Sequence, residues 1–291
     1  MPEDYAASAL AAGDSIRIIA ARTTCLVREA QTRHGCSPTV TAALGRLLTG
    51  AALMGPALNG RERITLQISG DGPVRGLVAD VVAGGRVRGF ALRPYADRPL
   101  NALGKFDVAG LVGRGSLHVT RAFDTGQPYT SAVPLATGEI GEDLAGYFAA
   151  SEQIPTVVAV GVLANPNGVM AAGGVIAQLM PGADESSIAA LERGARSMGQ
   201  VSSLVREGLA PEDLVRKVVG SLDSRIAGRH DISFACQCDE QRVAKAIVGL
   251  GRDALEDMAA SGKDTEATCD FCGKRYYFNP TAIRRILESA S

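Results

Sequence analysis

The chain has 291 residues, 46% of them hydrophobic and 21% charged, which is enough apolar material for a main domain with a smaller attachment. Its formal net charge is −1 and no run of five like charges occurs, so a broad electrostatic hold on nucleic acid or an anionic membrane has no support. The absence of tryptophan and an aromatic content of 4% count against a base-stacking surface, and six cysteines in this length are too sparse for a disulfide scaffold.

The first residues, MPEDYAASAL, lack a basic region and a sustained apolar stretch, and nowhere do eighteen apolar residues run together. A cytoplasmic location is expected. SIRIIAARTT (15–24) is rich in β-branched residues and predicts a strand. SPTVTAALGRLLTGAALMGP predicts a helix, with Ser37 as N-cap, Pro38 at the first helical position and Gly55-Pro56 as the stop. Residues 63–92, RITLQISGDGPVRGLVADVVAGGRVRGFAL, predict three short strands joined by glycine turns in an antiparallel meander. Further on, GEIGEDLAGYFAASEQIP predicts one helix closed by Pro155, and TVVAVGVLANPNGVMAAGGVIAQLMPG predicts two strands around an Asn-Pro-Asn-Gly turn. The order of elements predicts an α+β fold with a mostly antiparallel sheet in a domain spanning 1–181.

After Pro181-Gly182 the pattern becomes helical. Ile188, Leu191, Ala195, Met198, Val201 and Val205 fall at helical spacing, and a second helical stretch begins behind Pro211 with Leu214, Val215, Val218, Val219 and Leu222. Residues 182–231 are therefore expected to form a helical linker. Gly194 and Gly199 lie inside the first stretch, each costing roughly 1 kcal/mol against alanine, so it depends on packing. Two readings stand: an ordinary helical hairpin, or a metastable connector that melts when its support is removed.

The segment 232–291 carries eight Lys/Arg and nine Asp/Glu with little apolar content, too little for an independent core, so a metal or another staple is expected there. It contains FACQCDEQ (234–241) and TCDFCGKRYYF (268–278). Cys236, Cys238, Cys269 and Cys272 thus form C-x-C, thirty residues, and C-x-x-C. Four thiolates at about 2.3 Å complete a tetrahedral zinc shell and leave no place for substrate. An extended C-x-C points both sulfurs to one side, and Gly273 suits the tight turn of a knuckle. One Zn2+ per chain is expected. The intervening residues predict a helical spacer with Val243, Ile247, Leu250, Leu255 and Met258 inward. Phe271, Tyr276, Tyr277 and Phe278 are expected to form a small core around the metal rather than a stacking platform for nucleic acid.

Four sulfurs around one ion stand about 3.8 Å apart, whereas a disulfide needs about 2.05 Å, so the ion and disulfides exclude each other. The residues alone leave open a redox switch or a permanently reduced structural site. Cys25 and Cys36 lack ligand-spaced partners and read as small hydrophobes. His34-Gly35-Cys36 hints at a metal site or a base–nucleophile pair, but nothing supplies the remaining members; His230 reads as a solvated or packing residue and His118, in SLHVT, as structural. SGDGPVRG has the wrong interval for a dinucleotide loop and joins two strands, and no phosphate loop, nucleophile elbow or H-E-x-x-H motif occurs. No catalytic residue, nucleotide site or enzyme activity is expected.

Taken together, FACQCDEQRV, TCDFCGKRYYFN, SEQIPT (151–156) and VRGLVADVVAGGRVRGF resemble the redox-regulated heat-shock chaperone family known as 33 kDa chaperonin, over nearly the full chain. The resemblance implies an ATP-independent holdase that binds unfolding client proteins, silent when reduced and zinc-bound and active after oxidation. It also implies Cys236, Cys238, Cys269 and Cys272 as zinc ligands and Cys236–Cys238 and Cys269–Cys272 as the disulfides formed on oxidation. Zinc release would unfold a C-terminal redox-switch domain (232–291), destabilise the linker and favour a homodimer. Client-contact residues stay open. Two other readings are a dithiol oxidoreductase built on C-x-x-C and a zinc ribbon that grips nucleic acid.

Overall fold

The computed structural model describes residues 3–165 and 167–289. Contacts divide the chain between Ala235 and Cys236 into two compact units. The first contains two sheets. One has the order β10-β1-β2-β9-β8 and is antiparallel throughout: β1 (Tyr5–Ala11), β2 (Ile16–Arg22), β8 (Thr156–Asn165), β9 (Gly168–Leu179) and β10 (Ser224–Asp231). The other has the order β11-β5-β4-β3-β6-β7, formed by β3 (Arg63–Gly70), β4 (Gly76–Val82), β5 (Arg86–Ala91), β6 (Gly115–Ala122), β7 (Tyr129–Pro134) and the two-residue β11 (Ser233–Phe234). Only β11 pairs in parallel, with β5. This is the α+β, mostly antiparallel class that the element order predicts.

Helix α1 (Thr24–His34) leads into α2 (Pro38–Met54), which packs against β8 and β9 of the first sheet and against β4 and β5 of the second. Its start matches the sequence signals: Ser37 Oγ accepts from the Val40 amide at 3.2 Å and Pro38 opens the first turn. Fifteen of its residues are buried, as an all-round apolar helix must be in the middle of a protein. Among the described residues, Pro38–Ala57 is the one helix long and apolar enough to cross a membrane, and 83% of that apolar window is buried inside the protein. Gly45 allows the close packing, since a Cβ there would lie 2.6 Å from Val27 and 2.8 Å from Val162. A short helix α3 (Val108–Val112), capped by Asp107, precedes β6.

Three expectations need correction. The helix expected to run to Pro155 is regular only over α4 (Gly141–Tyr147) and widens into a π-turn at Phe148–Glu152. There the Tyr147 hydroxyl donates to Glu152 at 2.5 Å and Arg121 pairs with the same carboxylate at 3.1 Å, so a partly buried polar trio holds the wider turn. Beyond Gly182 the first helical stretch is two helices, α5 (Glu185–Ser197) and α6 (Val201–Arg206), because Gly199 turns left-handed at φ +75°. Within the segment expected to be helical, residues 224–231 instead form β10, paired to β1. Pro166, in the turn expected between β8 and β9, lies outside the described residues.

Helix α7 (Pro211–Val219) starts at Pro211, with the Asp213 carboxylate accepting from the Ala210 amide at 3.0 Å. Its Leu214, Val215, Val218 and Val219 bury with Leu191, Val201 and Val205 against Ile16, Ile18 and Val175 of the first sheet. Gly194 brings α5 against α7, for a Cβ there would meet the Val218 carbonyl. None of the three helices reaches the length at which an isolated helix holds firmly in water, so their order derives from the sheet beneath them.

The second unit is small. It contains α8 (Glu240–Val248), α9 (Arg252–Ala260), the hairpin of β12 (Thr265–Thr268) and β13 (Arg275–Phe278), and α10 (Pro280–Ser289). Its core is Ile247, Leu255, Ala259, Tyr276, Phe278 and Ile283, with Val243 and Met258 packed alongside. That is slight for a unit of this length and agrees with the need for a staple.

Candidate metal centre

The four cysteines come from two places. Cys236 and Cys238 lie in the irregular stretch leading to α8, whose first turn is capped by Asp239, its carboxylate accepting from the Arg242 amide at 2.8 Å. Cys269 follows β12 and Cys272 sits in the turn before β13. That turn is closed by the Gly273 amide donating to the Cys269 carbonyl at 2.8 Å and the Cys269 amide donating to the Lys274 carbonyl at 2.9 Å. Gly273 has φ +70°, a conformation that a side chain would strain.

These elements bring all four sulfurs within 4.8 Å of one another. Cys236 and Cys269 are 3.8 Å apart and Cys238 and Cys272 are 3.3 Å apart. A tetrahedral ion with four thiolates has sulfur edges of about 3.8 Å, so the donor set and its spacing fit a thiophilic metal ion. Cys272 is buried and the other three are half-buried.

The sulfurs do not titrate alike. Burial opposes ionisation of Cys238, but hydrogen bonds from neighbouring groups, led by Tyr276 and Cys272, outweigh it and lower its pKa to about 7. Burial raises Cys269 and Cys272 above the ordinary thiol range. A bound cation would override these differences, because every coordinating thiol is deprotonated outright. The Tyr276 hydroxyl is buried and has no partner of ordinary hydrogen-bond geometry, yet it lies near enough to Cys238 to favour the thiolate. From the sequence Tyr276 reads as core alone; RYYF has two adjacent tyrosines and no pattern that says which turns inward, and the structure buries Tyr276 and Phe278 on one side of β13. Phe278 is buried with it, whereas Tyr277 is 59% exposed.

The remaining candidates stand elsewhere. Cys25 lies in the first turn of α1, its thiol raised by burial and by Asp4, and Cys36 is buried with its pKa pushed up to about 12. Neither is an activated thiolate at neutral pH. His34-Gly35-Cys36 is the end of α1: Gly35 adopts φ +59° and the Cys36 amide donates to the Gln31 carbonyl. His118 on β6 contacts Ser116 Oγ at 2.8 Å, and His230 on β10 contacts Ser8 Oγ at 3.2 Å. SGDGPVRG forms the β3–β4 hairpin. Among the described residues, no other group of three or more His, Cys, Asp or Glu side chains is placed to share an ion.

A family model described as Hsp33 protein matches residues 4–279. The chain belongs to the Hsp33 family. Similar proteins named 33 kDa chaperonin occur in Desulforamulus reducens, 39% identical with 98% of each chain covered, and in Acetivibrio thermocellus, 41% identical with 98% of this chain and 97% of the other covered. The crystal structure of the 33 kDa chaperonin, heat shock protein 33 homolog, from Thermotoga maritima superposes with a TM-score of 0.91. It is 35% identical, with 99% of this chain and 98% of that chain covered. Among the described residues, the C-terminal cysteine cluster is the group placed to hold a metal ion.

Proposed function

We propose that the protein is a redox-regulated, ATP-independent chaperone of the cytoplasm that holds unfolding polypeptides under oxidative stress. The observation that carries the reading is four sulfurs gathered within 4.8 Å in a unit whose buried core, among the described residues, comprises six residues besides Cys272. Cys236, Cys238, Cys269 and Cys272 would hold one Zn2+, which when bound supplies the cross-link that this unit's core lacks. The chemistry of release belongs to the sulfurs. A thiolate attacks a peroxide, breaking the O–O bond and becoming a sulfenic acid as hydroxide departs; a neighbouring thiolate then attacks that sulfur, forming a disulfide as the second hydroxide leaves and takes up a proton. Two peroxides suffice for both bridges, Cys236–Cys238 and Cys269–Cys272.

Each bridge draws two sulfurs to about 2.05 Å and removes them from the ligand shell. Residues 232–291 then lose their staple and act as the switch, while residues 182–231 act as the metastable linker, since α5, α6 and α7 rely on packing for their order. Apolar surface freed in that way would bind clients and favour a homodimer. The test is a zinc and thiol titration alongside an aggregation assay. Peroxide under mildly unfolding conditions should release one zinc per chain and convert the protein into a suppressor of aggregation, reversed by dithiol. An oxidised chain that leaves a thermally unfolding test protein to aggregate unchanged defeats the reading.

A further inference from the structure

Tyr276 lies on β13, paired with Ala267 of β12, in the hairpin that carries Cys269 and Cys272. It is 7% exposed, and its ring turns inward on the same side as Phe278. Lys274 Nζ stands 5.0 Å from the ring centroid. The hydroxyl oxygen is buried and has no partner of ordinary hydrogen-bond geometry among the described residues. Burying an O–H without an acceptor opposes folding, and Phe278 fills the same small core with a bare ring. Packing alone therefore does not account for the hydroxyl.

The group beside it is Cys238, which packs against the same core. Tyr276 comes first among the groups that favour the Cys238 thiolate, and Cys238 first among those that keep the phenol protonated, whereas Cys269 and Cys272 act on Tyr276 through charge alone. The four cysteines arrive on two segments thirty residues apart. Tyr276 belongs to the second segment, and its hydroxyl neighbours a sulfur of the first. Four thiolates around one dication leave an excess of negative charge in a small space, which an O–H donor offsets while it fixes the sulfur it meets.

We infer that Tyr276 is a positioning residue of the metal centre, whose hydroxyl donates to the Cys238 sulfur when that sulfur ligates the ion and so strengthens the chain's hold on the metal. This rests on the zinc reading for the identity of the ion. The bond also ties the two cysteine-bearing segments to each other without passing through the metal. Ease of zinc loss is then set in part by a side chain that is not a ligand.

The test uses the reduced full-length chain and two substitutions: Tyr276→Phe, which keeps the ring and removes the hydroxyl, and Tyr277→Phe at its exposed neighbour. Chelator competition should show zinc held about tenfold or more weakly by Tyr276→Phe and unchanged by Tyr277→Phe. With Co2+ in place of zinc, Tyr276→Phe should move the sulfur-to-cobalt charge-transfer band to lower energy, because a sulfur without its donor gives up an electron more easily. Equal or tighter zinc binding by Tyr276→Phe, the result of deleting an orphaned hydroxyl, overturns the inference. Weaker binding with the band unmoved makes Tyr276 a packing residue and overturns it too. A measurement on the unsubstituted chain keeps the test independent of how the variants fold. Loaded with a spin-half cadmium isotope, the chain should show a Tyr276 hydroxyl proton shielded from exchange and scalar-coupled to the metal through sulfur; a proton that exchanges freely or shows no coupling overturns the inference. A chain that takes up neither zinc nor cobalt defeats the metal reading and this inference with it, whereas metal uptake indifferent to the Tyr276 hydroxyl defeats the inference alone.

Discussion

The two units answer the problem of stability in opposite ways. The first buries α2 between two mostly antiparallel sheets and covers the first sheet's other face with α5, α6 and α7, so its order rests on apolar area and long strand ladders. The second has, among the described residues, six buried core residues besides Cys272 and four cysteines within 4.8 Å. Apolar burial is indifferent to oxidants and chelators, whereas metal–thiolate bonds can be removed by either. A chain holding both can lose one region to a chemical signal and keep the other.

The sharpest test of that contrast is metal removal. Chelation of the reduced protein should abolish amide protection across residues 239–289 and leave β3 and β4 protected, because apparent metal binding in small zinc modules is about 10–16 kcal/mol. Uniform loss in both units, or none in either, would break the comparison. The converse perturbation is Leu47→Ala in the fully buried centre of α2. It should lower the stability of the first unit by about 2–5 kcal/mol in denaturant melts with bound zinc unchanged.

Smaller effects refine the picture. Cys269→Ser should weaken zinc binding by at least the roughly 10–100-fold that outer partners of a metal contribute, measured by chelator competition, with normal melting of the first unit. A full zinc complement in that variant would count against the ligand set. Asp239→Ala removes the cap of α8 and should lower the stability of the second unit by about 1 kcal/mol. The least effect concerns α5. The Asp184 carboxyl is held below its ordinary value of 3.8 by hydrogen bonds from Ser187, so its stabilisation is complete above that value and fades as pH falls through the lower folded one. Amides in the first turn of α5 should therefore fray on acidification in that window, and Asp184→Ala should remove the pH dependence.

Legibility varied with the kind of signal. Helix α2 was readable to its ends because Ser37, Pro38 and Gly55 each perform a local task at a terminus. Helix α1 carries no comparable signal: its apolar residues make a weak stripe, and the left-handed Gly35 that ends it sits within His34-Gly35-Cys36, a run that hints at metal or nucleophile chemistry. β10 was unreadable for a different reason. SRIAGRHD has neither alternation nor β-branched density, and it becomes a strand because β1 offers it a partner edge. In the metal centre the four cysteines are visible from spacing, whereas the pairing of neighbours between the C-x-C and C-x-x-C motifs, Cys236 with Cys269 and Cys238 with Cys272, and the inward Tyr276 are not.

By itself the sequence determined the donor set, the helices with strong caps and the class of sheet, since each depends on residue type at short, fixed intervals. Tertiary structure alone decided which strand Ser224–Asp231 joins and which sulfurs become neighbours. Those outcomes depend on meetings between segments far apart in the chain, and local chemistry carries no record of them.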